Sequence, residues 1–69
     1  NRIMRNIKKR VLNGEMIELT NEFDLVAIWF QKKTNNFCLE LNAKVIKATK
    51  TWKSIEAKLE SIGMLKEEL

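Results

Sequence analysis

Hydrophobic positions recur in this chain with two different periods, and the change of period divides it into segments. Ile3, Met4, Ile7 and Val11 fall three and four residues apart, the spacing of one helix face, with Arg2, Arg5 and Lys9 on the opposite side. Asn13-Gly14 supplies a left-handed stop, and Lys8, Lys9 and Arg10 occupy the last turn, where cations favour the helix dipole. A basic amphipathic helix over residues 2–12 follows. Trp52, Ile55, Leu59 and Ile62 repeat the helical spacing, while Lys53, Ser54, Glu60 and Ser61 lie off the stripe. Thr51 is placed to cap the start, and Gly63 before apolar Met64 is the signature of a glycine C-cap. These features predict a second helix over residues 52–62, with room for a short turn after it.

Between the two helices the pattern supports two readings. In the first, Phe23 to Gln31 is a continuous apolar run rich in β-formers. Phe37, Leu39 and Leu41 then alternate with Cys38, Glu40 and Asn42, and Val45 to Thr49 contains β-branched residues. Lys32 to Asn36 and Asn42-Ala43 become hairpin turns. In the second, Leu12, Met16, Leu19, Phe23, Val26 and Phe30, and then Cys38, Leu41, Val45, Ala48 and Trp52, hold a three-four spacing. That gives an all-α helical hairpin turning near Thr34 to Asn36, which has to dimerise into a bundle. Strands are preferred, because Cys38 and Ala48 are weak core residues and Thr34 to Thr51 is rich in Thr, Asn and Val, all poor helix formers. The expected fold is α+β: an N-terminal amphipathic helix, a three-stranded antiparallel meander and a C-terminal helix, forming one small domain over residues 1–69.

Size and composition narrow what such a domain can do. The chain has 69 residues, and a domain of that length buries only about 60% of the surface its unfolded chain exposes. One cysteine, Cys38, closes no intrachain disulfide, and without His or a second Cys the common structural zinc sites cannot be built. A homo-oligomer or a stable complex is therefore expected. The densest apolar run, Leu25 to Phe30, is far too short to span a bilayer, and the N-terminal stretch lacks the pattern of a signal peptide. With an unpaired Cys these features lead to an expected cytoplasmic location. Abundant Asn, Lys and Ile, with Lys outnumbering Arg ten to three, fit AT-rich coding DNA of a low-GC bacterium, phage or plasmid.

The catalytic repertoire is thin. The sequence has no His and no Tyr, one Asp (Asp24) and two Ser (Ser54 and Ser61), so Cys38 has no imidazole base and reads as a packed small hydrophobe. Glu15, Glu18, Glu22 and Asp24 crowd one segment, but their spacing matches no cation loop, so they read as a solvated face. With only Gly14 and Gly63, a glycine-rich phosphate loop is excluded. Ile28-Trp29-Phe30-Gln31 followed by two Lys looks like the core of a homeodomain recognition helix. However, Lys32 stands where that family carries its adenine-reading Asn, and only 27 residues precede the motif, so the match is a coincidence. No enzyme, cofactor or metal is expected.

Charge is the strongest remaining signal. Four successive blocks, residues 1–14, 15–31, 32–58 and 59–69, carry +5, −4, +5 and −2 within a net charge of +4. One reading is mutual neutralisation of the acidic and basic blocks, including across subunits in a purely structural oligomer. The sharper reading brings two basic segments together for a polyanion. Its residues are Arg2, Arg5, Lys8, Lys9 and Arg10 from the first segment and Lys44, Lys47, Lys50 and Lys53 from the second. Trp29, beside Lys32 and Lys33, is the aromatic best placed to stack on a base. The expected function is a non-enzymatic, regulatory or nucleic-acid-binding protein acting as an oligomer. The alternative is a phage- or plasmid-type inhibitor or adaptor that docks on an acidic protein surface.

Overall fold

The computed structural model describes residues 2–64 and has the α+β architecture, with four strands where the pattern above predicts three. Helix α1 (Arg2–Leu12) is followed by β1 (Ile17–Thr20), β2 (Leu25–Gln31), β3 (Asn36–Leu41), β4 (Lys44–Thr49) and helix α2 (Trp52–Ser61). The strands form one antiparallel meander in the order β1-β2-β3-β4. The all-α hairpin is thereby excluded, and Ile28 to Gln31 lie on a strand, which disposes of the homeodomain likeness. The strand missed in the sequence is β1, where Ile17 and Leu19 alternate with Glu18 and Thr20. The strand β2 starts at Leu25, two residues later than expected. The Oδ1 of Asn21 accepts the backbone N–H groups of Phe23 and Asp24 at 2.9 and 2.8 Å, which makes a turn there and leaves Phe23 85% exposed.

Strand register sorts the side chains onto two faces. Ile17 pairs with Ile28 and Leu19 with Val26; Ile28 then pairs with Leu39, and Phe30 with Phe37. These side chains share one face, and both helices close over it. The buried cluster joins Met4, Ile7 and Val11 of α1 to Val26, Ile28, Phe37 and Leu39 of the sheet and to Trp52, Ile55 and Leu59 of α2. Phe37 is the hinge of an aromatic chain, with ring centroids 5.1 Å from Phe30 and 5.3 Å from Trp52, both tilted in the manner aromatic pairs prefer. Along β4 the register slips between Leu39 and Glu40, which leaves Ile46 without a partner in the ladder and turned to pack against the core.

Both helices end in the same way. Glu15 N–H bonds to Arg10 O and Gly14 N–H to Val11 O; Met64 N–H bonds to Leu59 O and Gly63 N–H to Glu60 O. Each is a Schellman cap around a glycine in the left-handed region, with φ of 95° at Gly14 and 70° at Gly63. The tight β3–β4 turn is less comfortable. Asn42 and Ala43 both have positive φ, 50° and 71°, as a two-residue hairpin of the primed type requires, and alanine carries a Cβ into that region. Asn42 compensates with its side chain. Its Oδ1 accepts Leu25 N–H at 2.9 Å and its Nδ2 donates to Asp24 Oδ1 at 2.8 Å, tying this turn to the start of β2.

Candidate functional site

The first basic segment forms a single surface. With Met4, Ile7 and Val11 buried, Arg2, Arg5, Lys8, Lys9 and Arg10 are all exposed on the rest of α1, an element without an acidic residue. Among the described residues the one ion pair is Arg10–Glu15: Nη2 and Nε of Arg10 donate to Oε1 of Glu15 at 2.9 and 3.1 Å. The pair is solvent-exposed and stabilises the fold by about 0.2–1 kcal/mol. Mutual neutralisation of the blocks therefore extends, within the described residues of one chain, to this pair alone. Of the last block's charged residues, Lys66, Glu67 and Glu68 lie outside the described part of the chain.

The second basic segment is split. Lys44 and Lys47 sit on β4, Lys50 in the loop after it and Lys53 in the first turn of α2. Lys50 is already engaged, its Nζ donating to Thr34 O at 2.6 Å and to Asn36 Oδ1 at 3.4 Å, where it fastens the β2–β3 turn to the end of β4. Only Lys53 meets the first segment. A groove of about 520 Å³ between the two helices is lined by Arg5 and Lys8 of α1 and by Thr51, Trp52, Lys53 and Glu56 at the start of α2. A second, shallower hollow lies at the C-terminal end of α1 beside Lys9 and Arg10, where Glu15 already holds the Arg10 guanidinium.

The interhelical groove has two further polar features. Thr51 is the N-cap residue of α2, but its side chain makes no cap bond; its hydroxyl pairs with that of Ser54 at 2.7 Å. Thr51 thus corrects the capping role expected of it, and the first-turn amides of α2 are left without a side-chain acceptor. Trp52 is 7% exposed, and its Nε1 is the buried side-chain donor that lacks a partner among the described residues. Such a group costs about 1–3 kcal/mol when no acceptor reaches it. Sequence reasoning assigned Trp52 to the core, and nothing in its spacing could have shown that its indole N–H goes unpaired.

Trp29 lies elsewhere. By strand alternation it stands on the sheet face turned away from the helices, paired with Cys38, on a face that also carries Leu25, Ala27 and Val45. Two carboxylates, Glu18 and Glu40, flank Ala27 on that face, so the half-buried Trp29 is separated from the cations of α1 by the thickness of the sheet and core. Cys38 is buried there, and burial pushes its thiol above the ordinary value, which makes it a poor nucleophile. No group of three or more carboxylate or thiol side chains that could hold a metal occurs among the described residues, and no helix among them is long and apolar enough to cross a membrane. No protein-family model, curated protein or solved structure matched the chain.

Proposed function

We propose that this chain is a non-enzymatic nucleic-acid-binding protein of regulatory type that presents the solvent side of its helical layer to the phosphate backbone. The observation that carries this reading is the five-cation surface of α1, continued onto α2 by Lys53 across one groove, with Arg10 alone held by a carboxylate among the described residues. Cations fixed on a rigid helix and free of internal partners are what a polyanion needs, since each phosphate they neutralise releases counterions. Lys44 and Lys47 sit on a different element and serve as outlying contacts at most, and Lys50 serves the fold. The homo-oligomer expected of so small a core belongs to the same proposal. The bare sheet face, with Leu25 and Val45 44% and 53% exposed, is where copies would meet.

The test is fluorescence anisotropy of labelled random duplex and single-stranded DNA at low and at physiological salt. Micromolar binding with a steep salt slope is the expected result. Absence of binding even at low salt overturns the reading in favour of a protein adaptor or inhibitor whose α1 docks on an acidic protein.

A further inference from the structure

We propose that the groove between α1 and the first turn of α2 is a built phosphate subsite, in which a backbone phosphodiester of the nucleic acid is held by Arg5, Lys8 and Lys53 and by the indole N–H of Trp52. The inference rests on the nucleic-acid reading for its ligand, but its geometry stands apart from the general charge of α1. Three cations from two different elements face one concavity, and none of their side chains is in an ion pair or hydrogen bond within the described structure. The positive end of α2 opens at the same place with no acidic residue in its first turn and no side-chain cap. Among the described residues the only carboxylate lining the groove is Glu56, so positive charge prevails there.

Trp52 separates a built site from a merely basic groove. It lines the concavity, its ring is anchored against Phe37, and its Nε1–H is buried without an acceptor among the described residues. A buried donor of this kind is satisfied when an oxygen enters beside it, and a phosphate supplies one while its remaining oxygens face the lysines and the guanidinium. Nε1 is shielded from solvent, and the subsite therefore requires side chains lining the groove to rotate and admit an oxygen to it. Arg5, Lys8 and Lys53 are exposed and unattached, and they can do this at little cost.

The experiment uses the ¹⁵N-labelled full chain, whose two tryptophans give two indole resonances, with Trp29→Phe assigning them. Inorganic phosphate is titrated at constant ionic strength against sodium chloride, and then random duplex DNA is added. The expected result is a saturable shift of the Trp52 indole N–H with phosphate and with duplex, while the Trp29 resonance stays in place. The double variant Arg5→Gln/Lys53→Gln should abolish the shift and weaken duplex binding about tenfold, whereas Lys58→Gln, outside the groove, should change it less than about twofold. A Trp52 resonance unmoved by either ligand, or moved equally by chloride, overturns the subsite. Salt-dependent duplex binding with that resonance unmoved removes the subsite and leaves the nucleic-acid reading intact. A phosphate shift without duplex binding overturns the nucleic-acid reading, and with it the phosphodiester as ligand, and leaves a site for small phosphates.

Discussion

The two helices close the same sheet face with inner stripes of similar kind, yet their outer faces differ completely. Helix α1 buries Met4, Ile7 and Val11 and carries five cations outside; α2 buries Trp52, Ile55 and Leu59 and balances Lys53 and Lys58 with Glu56 and Glu60. Core closure uses only the inner stripe, about a third of each helix surface. Because α2 shows that a near-neutral exterior suffices for this fold, the helix dipole and the Arg10–Glu15 pair account for only part of the charge of α1. That contrast is the main support for a polyanion partner.

The largest effects should test the part of the comparison in which the helices are alike. Ile7→Ala and Leu59→Ala should each destabilise by about 2–5 kcal/mol in denaturant unfolding, enough to compromise a domain of this size. If Ile7→Ala cost less than about 1 kcal/mol, α1 would be a loosely attached arm and its charges would have no fixed arrangement. Next comes the part in which they differ. Lys9→Glu should weaken duplex binding about tenfold at physiological salt, uniformly across sequences, while Lys58→Glu should have little effect. Arg10→Glu should fall between them, because Glu15 already takes up part of that charge. Equal losses at Lys9 and Lys58 would mean that net charge, and not the face of α1, governs binding.

Smaller effects concern the caps and the bare face. Gly14→Ala and Gly63→Ala should each cost about 1 kcal/mol, since a Cβ meets nothing within 4 Å at either position and the penalty is the positive φ alone. A markedly larger cost at one end would show that the two caps are unequal. The smallest effect is at Cys38. Its thiol is held above its ordinary value by burial, so the contribution to stability is complete below that value and is lost as pH rises through it towards the folded value. Melting curves taken across that alkaline range should show a decline that Cys38→Ala removes.

The helices were legible because their signals are local: three-four spacing, basic last turns and glycines just past the end all act within a few residues. The strands β2 to β4 were legible in the same way, from Phe37 to Leu41 alternating and from Asn42-Ala43 at the turn. β1 escaped because it is only four residues long and one of them, Leu19, also fits the helical spacing of Leu12, Met16 and Phe23; tertiary pairing with β2 decided between the two periods. The second basic segment misled for a related reason. Lysines at every third residue define a face only if the backbone keeps one conformation, and here it passes from strand to loop to helix between Lys47 and Lys53. Arg5, Lys8 and Lys53 meet through the packing of α1 beside α2, so no local pattern announces that groove.

The slipped register of β4 has a consequence for how this molecule behaves at high concentration. The outer strands of an open sheet expose unpaired backbone groups on which a foreign chain can grow. Here one margin is a four-residue strand, and the other is interrupted at Ile46 and set with Lys44 and Lys47. Neither offers a straight template, so both margins of the sheet resist strand-by-strand polymerisation.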